Sequence, residues 1–290
     1  MIDREKLISH GNWPVSLQQL LLGLHQYETV VLDVSGIQKD GIEAWNTEQA
    51  VSWADCLMIA DCEESVTWAG ERHIAVLGYG PCGQTVSESS LSQLPMIVEG
   101  FEEVDYYFLE RVYQRYHHLP WTVIETRRCL LREITLNDID DLYRLYEPEE
   151  MTRYMDGLYE NRQKEEEYTK AYIQHMYRFY GYGLWLVVEK ETGETIGRAG
   201  LGHLEVEGEV QLELGYLIAR SRQRQGYAFE VCQGILDYAR EATEFASIHC
   251  LIQKENLPSV RLAEKLGFRW EKSVACNGKE MQRYVKILQT

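Results

Sequence analysis

The sequence predicts an α/β protein with two domains, and three observations lead to this prediction. The chain has 290 residues, a length that favours two domains over one. In its first half, short apolar segments alternate with amphipathic ones, which is typical of a parallel sheet covered by helices. In its second half, the apolar run Leu214–Ala219 leads through a basic loop into a helix. We therefore expect a small Rossmann-like parallel α/β domain at residues 1–122 and a mixed α+β sheet domain at residues 127–290.

The first domain is built from alternating strands and helices. Short apolar segments that end at turn residues predict the strands. Apolar residues at helical spacing predict the helices between them. The predicted strands are Thr29–Val34, Cys56–Ala60, His73–Gly78 and Pro95–Val98, and the predicted helices cover residues 1–27, 41–55, 63–72 and 102–118.

The second domain begins with a strand at Cys129–Ile134 and a helix that Thr135 to Asp138 cap. Glycine turns at Gly193 and Gly278 predict hairpins between neighbouring strands. The helix after the basic loop begins at Ala228 and places Phe229, Cys232, Ile235, Leu236 and Ala239 on one face. The remaining predicted strands are Leu184–Val188, Thr195–Leu201, Val210–Ala219, Ile248–Gln253, Arg269–Val274 and Gln282–Leu288, and the remaining helices are Glu165–Tyr180 and Ser259–Leu266.

Composition and charge narrow the classes of partner. No apolar run approaches the ~20 residues of a membrane span, so we expect no membrane association. The seven cysteines are scattered without a C-x-x-C pair, which predicts free thiols and a cytoplasmic location. Residues 1–126 hold 19 acidic and 6 basic residues. This acidity argues against a nucleic-acid partner. It favours a solubilising surface, or a surface that attracts a basic partner.

The loop between Ala219 and Ala228 has the features of an anion site. Three arginines occupy positions 220, 222 and 224, and Gly226 precedes the helix. The first turn of a helix offers unpaired backbone N–H groups and the positive end of the helix dipole. A glycine at that point lets an anion approach the backbone closely. The strand–loop–helix unit therefore predicts a phosphate-binding site.

Two motifs of this region resemble those of a known family. Gln223-x-x-Gly226-x-Ala228 resembles the coenzyme-binding motif of the GNAT superfamily of acyl-CoA-dependent N-acyltransferases. Glu213–Ala219 before it, and Asn256-x-x-Ser259 with Glu264–Phe268 after it, are similar to the branch that contains ribosomal-protein N-terminal acetyltransferases. The resemblance covers roughly residues 129–288. The predicted element order, β-α-α-β-β-β-α-β-α-β-β, agrees with the fold of that family.

The resemblance implies acetyl-CoA as the cosubstrate and assigns residues to it. The coenzyme pyrophosphate would lie on backbone N–H groups of the basic loop, and the pantetheine arm would pair with Leu217 and Ile218. A backbone N–H near Tyr216 or Leu217 would hold the thioester oxygen, a contribution of about 3–4 kcal/mol in typical enzymes. The residues so implied are Tyr216, Leu217, Ile218, Gln223, Arg224, Gln225, Gly226, Tyr227, Ala228, Asn256 and Ser259.

The sequence identifies the catalytic acid and base less clearly than the residues that bind the coenzyme. The attacking amine must lose a proton, and Glu213 is the candidate base, with His203 a weaker one. The alternative for Glu213 is a structural ion pair with an arginine. Many members of the family carry a tyrosine acid where this chain has Ala263. Ser259 or solvent would then supply the proton to the leaving thiolate. The acceptor slot is expected among residues 151–185.

Two further motifs lie in the first half. Val30–Gly36 resembles the nucleophile strand of haloacid-dehalogenase-like phosphatases, and Ala60–Glu64 is similar to their later acidic loop. The second aspartate of that strand is replaced by Ser35, so a degenerate, non-catalytic module is expected. Gly78-x-Gly80-x-x-Gly83 has the spacing of a dinucleotide fingerprint. Pro81 within the loop and the weak helix after it favour a simple glycine turn.

The sequence as a whole predicts an acetyl-CoA-dependent N-acetyltransferase. The acceptor would be a primary amine of a peptide or protein N-terminus, or of a small molecule. The alternative hypothesis is a non-catalytic acyl-CoA sensor. In either case the N-terminal domain would recognise substrate, a partner or a second copy in a homodimer. No metal site is expected, because the His117–His118 pair has no evident third ligand.

Overall fold

The computed structural model describes residues 14–24, 27, 42–43, 51–80, 94, 96–206, 208–276 and 278–288. The chain divides into two compact units, Met1–Leu119 and Pro120–Thr290. Among the described residues, no helix combines the length and the apolar character that crossing a bilayer requires.

The N-terminal unit contains a three-stranded parallel sheet. Its middle strand pairs with both neighbours, and the apolar side chains of that strand alternate between two faces. Leu77 packs with residues of the first and third helices, and Val76 packs on the other face with Trp68 of the second helix. In chain order the elements are α1 (Val15–Leu24), β1 (Leu57–Ala60), α2 (Glu63–Glu71), β2 (Ala75–Tyr79), β3 (Ile97–Val98) and α3 (Tyr106–Tyr116), with a 3-10 turn at Trp53–Asp55.

The C-terminal unit is organised around an eight-stranded mixed sheet. Neighbouring strands run antiparallel within two blocks, one of three strands and one of five, and the two blocks meet at a single parallel pair. The strands are β4 (Thr122–Glu125), β5 (Cys129–Arg132), β6 (Leu184–Glu189), β7 (Thr195–Val206), β8 (Glu209–Ile218), β9 (Ser247–Ile252), β10 (Arg269–Cys276) and β11 (Lys279–Ile287), and their order in the sheet is β10-β11-β9-β8-β7-β6-β5-β4.

Helices and sheet of this unit share one apolar core. Trp185, Leu186 and Leu212 are fully buried within it, together with Ile235 and Leu236 of the long helix after β8. The capping box predicted at Thr135–Asp138 is present. The helices are α4 (Ile139–Tyr146), α5 (Glu149–Thr152), α6 (Arg162–Tyr172), α7 (Tyr227–Ala242) and α8 (Leu257–Lys265), and a π-helix at Ile173–Tyr180 continues α6.

The predicted fold class is confirmed: a small parallel sheet in the first half and a mixed sheet in the second. In the N-terminal unit, the helix expected at residues 41–55 does not extend to residue 55, because Trp53–Asp55 forms a 3-10 turn. Three elements of the C-terminal unit also differ from the prediction. The second sheet begins earlier than Cys129, because Thr122–Glu125 pairs with β5. The short helix Glu149–Thr152 lies in a segment expected to be a loop. The helix expected at Glu165–Tyr180 begins at Arg162 and changes to π geometry at Ile173, a change that frequently marks functional sites.

The two motifs identified in the first half remain predictions. Val30–Gly36 and Gly83 lie outside the described residues. Gly78 is part of β2 rather than of a loop, and a Cβ at this position would meet Leu94 Cδ1 at 3.0 Å. The phosphatase-like resemblance is not confirmed.

Candidate active site

The central feature of the C-terminal unit is a gap between β8 and β9. The two strands pair in parallel only at Leu212 with Ile248 and at Glu213 with His249. Beyond Glu213, β8 continues for five residues while it remains paired with β7 alone. The backbone of this segment therefore has one side available for another extended chain.

Side-chain contacts show which backbone groups face the gap. The Cys250 thiol of β9 donates to the carbonyl of Leu214 at 3.7 Å. Backbone groups of alternate residues point to the same side of a strand, so those of Tyr216 and Ile218 also face the gap. Those of Leu217 face β7. The carbonyl of Ile218 already accepts a hydrogen bond from the Gln223 side chain at 3.0 Å. The backbone of Tyr216 is thus the group best placed to meet a ligand between the strands.

A loop at the end of β8 leads into α7. Arg224 and Gly226 both have left-handed backbone geometry, with φ values of 58° and 84°. Gly226 is the N-cap residue of α7, and no side chain caps the first turn. The loop residues Gln223 to Gly226 are exposed. Exposed N–H groups at the first turn of a helix, together with the helix dipole, are the kind of geometry that binds anions in proteins.

The three arginines of the loop have different roles. Arg222 pairs with the buried Glu189 at 2.9 Å, and Arg220 pairs with Glu150 on α5. Arg224 forms no ion pair with any described residue. Arg220 and Arg222 therefore already have carboxylate partners in the fold, and Arg224 has none among the described residues.

The Tyr227 side chain supports the loop from beneath. Its side chain is buried, and its hydroxyl donates to Glu189. That bond and the bonds from Arg222 lower the pKa of Glu189 to about 2. Glu189 thereby ties the first turn of α7 to the loop. The backbone N–H of Tyr227 remains the group predicted for an anion.

Arg128 is a loop-supporting residue that the sequence analysis did not identify. It donates to the carbonyl of Gln225 at 3.0 Å, pairs with Glu230 of α7 at 2.7 Å, and places its guanidinium 3.9 Å above the Tyr227 ring. Its position just before β5 gives no local motif. Only the pairing of Arg128 with residues about a hundred positions away reveals its role.

Glu213 lies where β8 and β9 begin to separate. Burial raises the pKa of this carboxyl to about 7, and a hydrogen bond from the Leu251 backbone opposes the rise. No lysine or arginine of the described residues lies within 4 Å of Glu213, so the ion-pair alternative has no support here. The neighbouring His249 accepts a hydrogen bond from Arg283 at 3.1 Å, and burial lowers its pKa. A base with a pKa near neutrality suits deprotonation of an amine.

The other side of the gap is formed by the first turn of α8. Asn256 caps this helix by accepting from the Ser259 N–H at 3.4 Å. The Tyr216 hydroxyl crosses from β8 and donates to the carbonyl of Ser259 at 3.1 Å. Ala263, one turn further on, is fully buried. The phenol of Tyr216 therefore lies beside the first turn of α8.

Two aromatic residues of the expected acceptor slot, Trp185 and Tyr182, belong to the core. Trp185 is fully buried against Tyr238, and the Tyr182 hydroxyl lies 2.7 Å from His203 Nε2. Burial lowers the pKa of His203. By strand alternation His203 lies on the sheet face opposite Glu213, so it does not join the predicted base. Within the described part of the chain, no group of three or more His, Cys, Asp or Glu side chains could hold a metal ion.

Comparison with known proteins places this site within one family. Residues 128–269 match the model of the acetyltransferase (GNAT) domain. The uncharacterized protein YkkB of Bacillus subtilis is 34% identical over 155 residues, which are 53% of this chain and 88% of that protein. The uncharacterized N-acetyltransferase YoaA of the same species is 32% identical over 152 residues, 51% of this chain and 84% of that protein. The structure of RimL, a ribosomal L7/L12 alpha-N-protein acetyltransferase, shares the fold with a TM-score of 0.50 and 14% identity over 59% of this chain and 96% of its own.

Proposed function

The chain belongs to the GNAT acetyltransferase family through its C-terminal half, and on this premise we propose that it transfers an acetyl group from acetyl-CoA to a primary amine. The observation that carries the proposal is the gap between β8 and β9, with a carboxyl of raised pKa at one end and an uncapped helix N-terminus at the other. Acetyl-CoA would supply the acetyl group as a thioester.

The residues around the gap fit the coenzyme. The N–H groups of Gln225 to Ala228 and the Arg224 side chain would hold the pyrophosphate. The gap-facing backbone of Tyr216 would pair with the pantetheine arm, and its N–H would hold the thioester oxygen, in preference to that of Leu217. Asn256 and Ser259 would contact the coenzyme from α8. Gln223 and Gln225 contribute through the backbone, because their side chains bond the Ile218 and Ser221 carbonyls.

Glu213 would act as the general base. Its side chain lies on one face of the sheet, while Tyr216 and Ser259 approach the gap from the other face. The amine would therefore enter from the Glu213 face and lose its proton to Glu213 Oε, directly or through water. The proposal includes both a peptide N-terminus and a small amine as the acceptor.

Tyr216 Oη would donate its hydrogen bond to the departing thiolate in place of the one that it gives to the Ser259 carbonyl. Burial raises the pKa of this phenol, so it stays protonated at neutral pH and can act as a donor. Ser259, named from the sequence for this role, offers a half-buried hydroxyl in the same turn as the carbonyl that Tyr216 contacts. Neither role needs a residue at Ala263.

The alternative of a coenzyme sensor without turnover is not favoured, because the relatives carry N-acetyltransferase names. We propose a cytoplasmic location on the basis of six free cysteines among the described residues. For the N-terminal unit, recognition of substrate or partner and formation of a homodimer remain hypotheses.

The experiment that tests the proposal is thiol release from acetyl-CoA, measured against a panel of peptides and small amines. Amine-dependent release supports it, and coenzyme binding without release on any amine contradicts it. Gly226→Glu is expected to abolish coenzyme binding by blocking approach to the backbone. Gly278→Glu is the matched control, because Gly278 has a similar φ of 74° in a hairpin turn where a Cβ would meet no atom within 4 Å.

A further inference from the structure

A buried cysteine closes the narrow end of the gap between β8 and β9. Cys250 of β9 lies level with Leu214, one residue beyond the last backbone pair, which is Glu213 with His249. Its side chain is buried, and its thiol donates to the Leu214 carbonyl at 3.7 Å. The Cys250 sulfur therefore lies across the gap at the point where the two strands begin to separate.

The sheet and the core hold this sulfur in place. On the side away from β8, Cys250 is directly opposite Tyr284, within an uninterrupted series of residue pairs that joins β9 to β11. The fully buried Cys232 of α7 belongs to the same apolar core. Protein interiors are close-packed, so a side chain in this position does not move aside without disturbing its neighbours. The sulfur is a fixed wall of the gap.

The chemistry of the thiol suits a wall rather than a nucleophile. Burial raises the pKa of Cys250 well above its usual range, and the nearby Cys232 and Glu213 raise this pKa further. The thiol therefore stays protonated at neutral pH, and a buried thiol of this kind is inert. It packs as a small apolar side chain. Cys250 thus shapes the gap without reacting.

The coenzyme would enter the gap from the opposite end. The anion site at Gly226 follows the end of β8, so the pantetheine arm would run from Ile218 towards Leu214. With the thioester oxygen on the Tyr216 N–H, the acyl carbons would point towards Leu214 and the Cys250 sulfur. Two residues of strand separate the levels of Tyr216 and Leu214, about 7 Å at 3.3 Å per residue. The Cys250 sulfur occupies the far end of that span, which leaves room for a short acyl group.

We propose that Cys250 sets the length of the acyl group that is transferred, because its side chain admits an acetyl group and excludes longer straight-chain acyl groups. This inference rests on the proposed function, and it adds the residue that selects the acyl donor. A longer chain would have to displace the packed sulfur and the atoms behind it. An apolar pocket distinguishes chains that differ by one methylene by about 10–200-fold.

The test compares acetyl-CoA, propionyl-CoA and butyryl-CoA as donors to an amine from the panel, with thiol release as the readout. The wild type is expected to prefer acetyl-CoA over butyryl-CoA by at least about 100-fold in kcat/KM, since the two chains differ by two methylenes. Cys250→Ala removes the sulfur and is expected to raise kcat/KM for propionyl-CoA by about 10-fold or more. Cys250→Val adds bulk at the same point and is expected to lower kcat/KM for acetyl-CoA by about 10-fold or more. Its affinity for free CoA should stay unchanged, because free CoA carries no acyl group.

Two controls separate the possible failures. Ile248→Val trims a buried side chain on the same face of β9, at a level where the two strands are still paired, and should leave the donor preference intact. Affinity for free CoA, measured by calorimetry, reports whether each variant still folds.

Three results would overturn the role of Cys250 while the transferase stands. They are equal rates with the three donors in the wild type, a preference that survives Cys250→Ala, and wild-type turnover of acetyl-CoA by a Cys250→Val variant that binds CoA. Absence of release with every donor and every amine, although free CoA binds, would instead refute the proposed function and the acyl-length inference with it.

Discussion

Replacing Glu213 by glutamine should stabilise the protein above neutral pH while it removes the catalytic base. Burial raises the pKa of Glu213 from 4.5 to about 7. Between these two values the folded state holds a proton that the unfolded state has released, so the free energy of unfolding falls as pH rises through this window. The fall is complete above pH 7 and amounts to about 3 kcal/mol, since each pKa unit corresponds to 1.36 kcal/mol. A neutral glutamine does not undergo this loss.

The assay is urea unfolding of wild type and Glu213→Gln at pH 5.5 and pH 8.5, together with the pH dependence of kcat/KM. The variant is expected to gain more in free energy of unfolding at pH 8.5 than at pH 5.5, by roughly 2 kcal/mol. In the wild type, kcat/KM should fall tenfold per pH unit below about pH 7, because the base is then protonated. The reasoning is refuted if the stability difference between the two proteins is independent of pH. An acid limb that persists in Glu213→Gln would show that another group is the base.

Three further substitutions test the site. Tyr216→Phe should lower kcat by about 10-fold with little change in KM, because it removes one donor to a departing anion; a loss of coenzyme affinity instead would assign the phenol to binding. Arg128→Met should weaken acetyl-CoA binding, since it frees the Gln225 carbonyl and leaves Glu230 without its partner, and calorimetry measures the change. Arg224→Gln should weaken the same binding by a few-fold at low salt and by less at high salt; an effect that does not depend on salt would contradict a direct charge contact.

The sequence sufficed to predict the fold class and the strand–loop–helix geometry around Gly226 for the same reason. Both depend on local signals: apolar runs of strand length, a glycine before a helix, and a capping asparagine at Asn256. Gly226 takes the left-handed conformation that its place in the motif implies. The helix–π-helix transition at Ile173 and the strand Thr122–Glu125 were missed because they depend on packing against distant parts of the chain, for which no local pattern exists.

The roles of the charged residues could not be predicted, because each role depends on which other residues the fold places beside the charge. Arg222 and Arg224 are two positions apart in a basic loop, yet one is anchored by Glu189 and the other is left for a ligand. Glu213 could equally have been an ion-pair partner until the register placed it beside a neutral His249. Arg198 gives no local signal in the sequence. Its position beside Tyr172 and Tyr146 follows from how the fold packs these elements together, which no local pattern encodes.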